Sequence, residues 1–325
     1  MSNIVADVYA ECSDDPAADG REAQVYDAIH AMISPRNEVL RFLPHRERRM
    51  VGAWCFVDVF GPTDVRDRAA GMAVPPHPHL GLQTVSWLVQ GTVLHRDSLG
   101  TTSLVKPGRV AVMNAGNGIA HSENSPPDHG PVLHGVQLWV ALPEQARNGR
   151  HSFVLHEPAP PWDTPGLRAR VFIGRLGTTV APAQGVTPLL GVELAPESAA
   201  RRRGRVPLDP AYEHLLVPLV GAVAACGQDV RSGQAIYLGT DRDQVDLELT
   251  AGARVLLLGG PPFDEEIVMW WNFVARTHDE IEQARQQWNA GGDPRFGEVS
   301  HYPGPERLTA PELPNLRLRP RGRRR

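Results

Sequence analysis

Glycine and proline punctuate this chain more insistently than any other residues. With 31 glycines and 30 prolines in 325 residues, the apolar runs from "VLRFLPHRERRMVGAWCFVDVFGP" onward stay short. They are rich in Val, Leu, Phe and Trp, and each ends at a Gly, Pro or Asp. Glycine and proline are poor in the interior of either regular element, and short β-rich runs closed by turn residues are the mark of an antiparallel barrel or sandwich.

The runs themselves alternate. "TVSWLVQGTVLHRDSLG" reads as strand, tight turn at Gly91, strand, with Val85, Trp87 and Val89 on one face and Val93 opening the return. "LVKPGRVAVMNAG" gives a second strand pair broken at Pro107-Gly108, and "VLHGVQLWVALP" places Val136, Leu138 and Val140 on one side. A weaker copy follows at His214 to Gly239, "HLLVPLVGAVAACGQDVRSGQAIYLG", turning at Gly221 and Gly233. The Pro-rich "HEPAPPWDTPG" between the copies reads as a linker. The one expected helix is near "THDEIEQARQQWNAGG", where Thr277 and Glu280 have capping-box spacing, Ile281, Ala284 and Trp288 share a face, and Gly291 can end it. Upstream, residues 1–35 read as a loosely attached arm with at most a short helix at "VYDAIHAMI". Downstream, residues 301–325 are Pro-dotted, and the basic "RLRPRGRRR" reads as a solvated tail.

Length and composition suit two modest globular domains, with 42% hydrophobic and 22% charged residues. No apolar run approaches bilayer length, and the acidic N-terminus lacks a secretory pattern, which predicts a cytoplasmic protein. Cys12, Cys55 and Cys226 are far apart with no CxxC spacing, so neither a disulfide framework nor a thiolate zinc site is indicated. A net charge of -4 gives no reason to expect a nucleic-acid partner, and no membrane partner is expected.

Chemistry concentrates in two places. In "PPHPHLGLQTV", His77 and His79 sit two apart, and on a strand residues i and i+2 face the same way. In "GNGIAHSEN", His121 and Glu123 have the same spacing. If the two strands are neighbours, three imidazoles and a carboxylate converge, a donor set for a divalent first-row metal: iron, manganese, nickel, copper or zinc. His95, His129 and His134 lack this spacing and are candidates only for contacts behind the ligands. Trp87, Trp139 and Met113 are candidates for lining an apolar pocket.

Four segments carry a resemblance: "PPHPHLGLQTVSWLVQGTVLHRDSLG", "KPGRVAVMNAGNGIAHSE", "GVQLWVALP" and the near C-terminal "EEIVMWWNFVARTHDEIEQARQQWNAG". Together they resemble the pirin family of the cupin superfamily, in its bacterial, quercetin 2,3-dioxygenase-like branch. The resemblance implies an all-β bicupin, two antiparallel β-barrels of double-stranded β-helix (jelly-roll) type with a C-terminal helix. The first barrel, residues 36–155, would hold Fe(II) or another divalent metal through His77, His79, His121 and Glu123. The second, residues 156–300, would hold none. It implies either of two functions: a dioxygenase cleaving quercetin-like flavonols or related enolisable aromatics with O2, with Glu123 as ligand and base and carbon monoxide released, or a non-enzymatic, metal-dependent regulator that binds a protein partner. The chain departs from the family pattern at Gln83, where Glu is frequent, and Val59, where His is frequent, which puts pocket polarity in question.

Overall fold

A computed structural model describes residues 23–34, 37–67, 71–304 and 307–323. The fold is a bicupin of antiparallel sheets with one helix among the described residues, and each half combines a large sheet with a four-stranded one. In the first half the large sheet runs, in spatial order, Ser152–Leu155, Val110–Asn114, Leu82–Gln90, Val132–Ala141, Trp54–Asp64, Asn37–Leu43 and Ile29–Ser34. The four-stranded sheet runs Ala73–His79, Ile119–Asn124, Val93–Asp97 and Thr102–Val105.

The strands fall where the sequence pattern puts them, but two expected pairs are not hairpins. Leu82–Gln90 belongs to the large sheet and Val93–Asp97 to the small one, so the turn at Gly91 carries the chain from one sheet to the other. Gly91 has φ +86°, and a Cβ there would lie 2.5 Å from the carbonyl oxygen of Val132. Pro107-Gly108 makes the return crossing, between Thr102–Val105 and Val110–Asn114. The weaker copy repeats this: Gly221, φ +72°, joins Glu213–Val220 of the second large sheet to Ala222–Ala225 of the second small one. Jelly-roll topology pairs strands across the sheet, not along the chain, so local turn signals located the corners and missed the partners.

Val85, Trp87, Val136, Leu138 and Val140 share one face of the large sheet, and all are buried in a cluster that includes Phe172, Leu215 and Leu256 of the second half. Trp87 stacks on Phe172 at 5.0 Å and donates its indole N–H to Glu193 at 2.5 Å. Trp54 donates to the carbonyl of Gly259 at 3.1 Å. The two halves are thus joined back to back through their large sheets, leaving the opposite face of Val132–Ala141 to look into the first barrel.

Both ends of the chain correct the sequence reading. The expected short helix at 25–33 is two strands, Gln24–Asp27 and Ile29–Ser34, and the segment does not hang loose. Its first strand pairs with Gln234–Gly239 of the second half, its second with Asn37–Leu43 of the first. Pairing with a sheet edge in each half overrides a modest helical pattern. The tail is anchored, although Arg317, Arg319 and Arg321 stay exposed as expected: Ile267 and Arg321 exchange backbone hydrogen bonds, and Arg323 reaches the fully buried carboxylate of Glu213 at 2.6 Å. A buried carboxylate supplies the partner that isolated Arg residues lack in sequence. The arm over 1–22, with Cys12, and the last two arginines lie outside the described residues. Cys55 is buried and Cys226 exposed, both as free thiols.

The helix spans His278–Ala290, with Thr277 Oγ1 accepting from the backbone N–H of Glu280 and Gly291 as C-cap. It buries Ile281, Ala284 and Trp288 in a cluster with Leu80 and Ala120. Those two residues adjoin His79 and His121, so the helix braces the strands that carry the histidines.

Candidate metal centre

His77 and His79 end the strand Ala73–His79, and His121 and Glu123 lie on Ile119–Asn124. The strands are antiparallel neighbours with His121 opposite His77 and Ile119 opposite His79. The register slips between His121 and Glu123, so Glu123 faces Val74, and across its other edge it faces His95 of Val93–Asp97. A bulge of this kind re-aims side chains locally.

The three imidazoles meet. Their ring centroids are 4.3, 4.9 and 5.0 Å apart for the pairs His77–His121, His79–His121 and His77–His79. One donor atom of each lies within 4.8 Å of the others. Glu123 forms a second such group with His121 and His95. His121 belongs to both groups, and it is the link between the paired histidines and the carboxylate.

The rings are oriented from behind. His77 Nδ1–H donates to the carbonyl of Pro75 at 2.8 Å, and His79 Nδ1–H to that of Asn272 at 3.0 Å, which leaves Nε2 of each as a lone pair. Nε2 of His121 is buried with no hydrogen-bond partner, a costly state for a polar atom that a cation would relieve. Burial holds His77 down to about 4 and His79 and His121 well below the usual imidazole range, reinforced by the neighbouring rings. All three are neutral at pH 7, the form that binds a metal. Burial raises Glu123, against the opposing effects of His95 and the Ser86 hydroxyl. Three neutral imidazoles and a carboxylate fit a divalent first-row cation.

The pocket over this cluster has an apolar wall that includes Phe56, Phe60, Trp139 and Leu308, with Asp58 and Gln137 also lining it. It leaves about 70 Å³ of free space. Of the expected lining residues, Trp139 is there, edge-on to His79 at 5.1 Å. Trp87 instead faces the second half, and Met113 is in the core. Gln83 accepts a hydrogen bond from the backbone of Val186 at 3.2 Å, and Val59 packs in the core shared by the two halves. Both departures from the family pattern therefore sit away from the cluster. His95 touches His121 at 3.4 Å, while His129 is half-buried on a loop and His134 is buried near Arg254. Asn272, Asp58, Gln137 and Leu308 escaped the sequence reading. Asn272 acts through its backbone, which carries no residue signal; Asp58 and Leu308 come from segments with no motif, and Gln137 lies in a segment that was read only for its apolar alternation.

Comparison with known proteins agrees with this architecture. The Pirin family profile matches residues 35–140 and the pirin C-terminal cupin domain profile residues 194–297. A Pseudomonas aeruginosa protein with the provisional name quercetin 2,3-dioxygenase is 45% identical over 276 residues, covering 85% of this chain and 86% of its own. A Caulobacter vibrioides pirin-like protein is 36% identical, covering 78% and 88%. A crystal structure of quercetin 2,3-dioxygenase from Acinetobacter baumannii superposes with TM-score 0.85 at 39% identity, over 91% of this chain and 97% of that one. No helix among the described residues is long and apolar enough to cross a membrane.

Proposed function

The chain belongs to the pirin family, and from that membership we propose that it is an iron-dependent dioxygenase cleaving quercetin-like flavonols or related enolisable aromatics. The observation that carries the reading is the buried, unpartnered Nε2 of His121 beside two histidines whose own Nδ1 atoms are tied to backbone carbonyls. The first unit, residues 36–155, is assigned the metal and the second none.

In this reading His77, His79 and His121 hold the ion through Nε2, and Glu123 completes the set. Bound ferrous iron would supply a Lewis-acidic, redox-active centre toward O2 and a substrate enol. The residues do the rest. Glu123 takes the proton of the substrate 3-hydroxyl, a role suited to a carboxylate whose basicity burial has increased. The apolar wall with Trp139 and Phe56 accepts the flat ring and excludes water, and cleavage releases carbon monoxide. The choice of iron rests on the family resemblance, since the donor set alone also suits other divalent ions.

Oxygen consumption by the ferrous protein with quercetin tests the proposal. Uptake that depends on flavonol is expected. No uptake with quercetin or with a panel of related phenols would overturn it in favour of a metal-dependent protein that regulates a partner.

A further inference from the structure

Across the first large sheet runs a row of polar side chains at directly paired positions of neighbouring strands. Arg41 is the direct cross-strand partner of Asp58, Asp58 of Gln137, and Gln137 of Ser86. Arg41 grips Asp58 with two hydrogen bonds, Nε to Oδ1 and Nη2 to Oδ2, both 2.8 Å, and its guanidinium lies 4.4 Å over the ring of Phe56. Ser86 donates to Gln137 Oε1 at 2.8 Å.

Arg41 and Asp58 are 5% and 1% exposed. A desolvated ion pair of this kind contributes little that an apolar pair of similar volume would not, so stability alone does not account for it. The row ends in an unmet demand: Gln137 Nε2 is buried and has no hydrogen-bond partner. Its orientation is set by Ser86, which donates to the amide oxygen and so turns the amide N–H away from it. Gln137 and Asp58 both line the pocket that contains the histidines.

We propose that Gln137 is the specificity-determining donor of the site, its amide N–H recognising a ligand oxygen adjacent to the hydroxyl that meets Glu123. Ser86 acts as the positioning residue that fixes the amide. Gln137 and Glu123 line the same pocket, so one ligand can present a hydroxyl to Glu123 and a neighbouring oxygen to Gln137. The class selected is a planar aromatic with a hydroxyl beside a carbonyl, in preference to a plain phenol. This rests on the dioxygenase reading for the kind of ligand, and extends it to the group that chooses among ligands.

The test is equilibrium binding to the zinc-loaded protein, which is redox-inert, of 1-hydroxy-2-acetonaphthone and of 1-naphthol, which lacks the carbonyl. The wild type should prefer the hydroxyketone. Gln137→Leu should erode that preference about ten- to hundredfold, the range for leaving one hydrogen-bonded partner unmet, while binding of 1-naphthol changes little. Gln137→Glu, which turns an acceptor toward an acceptor, should weaken the hydroxyketone further. Metal stoichiometry and melting temperature of each variant, unchanged from wild type, show that the fold is intact. Equal loss of both ligands, or of neither, overturns the proposal. Oxygen uptake with quercetin by the ferrous wild type separates the two ideas: uptake without Gln137-dependent preference removes this inference alone, whereas no uptake removes the dioxygenase reading.

Discussion

Nδ1 of His95 lies 3.4 Å from Nδ1 of His121, so one of these rings must carry the proton and the other must not. The rest of the chain decides which. Asp97 accepts backbone N–H groups of Leu99 and Thr101 on Oδ1 at 2.9 and 3.0 Å, and its Oδ2 lies 3.1 Å from Nε2 of His95. A carboxylate there places the His95 proton on Nε2, so its Nδ1 accepts from His121, and His121 Nε2 is left bare toward the other two histidines. Phe153, stacked on His95 at 4.0 Å, holds the ring in plane.

His95→Phe or Asp97→Asn should therefore weaken metal binding by about 10- to 100-fold, the usual range for a residue behind a ligand. Competition with a chromophoric chelator measures this. Unchanged affinity in both variants would show that His121 needs no such support.

Direct ligands should behave differently. Metal loading stabilises the folded state by mass action, so the wild type should melt higher with ferrous or zinc ion than without. His77→Ala and His121→Ala should lose that increment, seen by scanning calorimetry, along with any flavonol turnover. Glu123→Ala should lose turnover even where some metal is retained. Full turnover in that variant would exclude Glu123 as the base.

The metal-free protein should lose stability in acid. His77 titrates at about 4 when folded against 6.5 when unfolded, so between those values the unfolded chain binds more protons. Stability is then fully present above pH 6.5 and is lost as pH falls toward 4, by about 3 kcal/mol for one histidine shifted this far. His214, also lowered to about 4 by burial, adds in the same direction. Urea unfolding at pH 7.5 and 5.0 should show the lower midpoint at pH 5.0, and the slope should flatten in a His77→Ala variant.

Leu308 should gate access. The free space of about 70 Å³ is smaller than the roughly 150 Å³ apolar cavity that admits benzene, so a three-ring flavonol requires a wall to yield. Leu308 is tied to Pro76, next to His77, by a backbone hydrogen bond of 2.8 Å, and Trp288 donates to its carbonyl at 2.7 Å. Leu308→Ala should lower KM for quercetin severalfold with little change in kcat. Arg323→Ala, which strips a partner from buried Glu213, should cost about 2 kcal/mol of stability without affecting metal content.

The site was legible because it is local. Strand parity alone predicts that His77 goes with His79 and His121 with Glu123, since side chains two apart on a strand share a face whatever surrounds them. The short punctuated runs likewise fixed the all-β class, and a cap three residues before Glu280 fixed the helix. What the sequence could not supply was pairing at a distance. That Gly91 is a crossing between sheets, that 25–33 is strand, and that Arg323 ends on Glu213 each depend on a partner far away in the chain. The same holds at the centre: the register slip that sends Glu123 toward His95, and the row from Arg41 to Ser86, exist only because particular strands lie side by side. The sequence by itself determined which residue types could hold a metal. The tertiary structure decided which of them meet, because hydrogen-bond register and burial are properties of the assembled sheets.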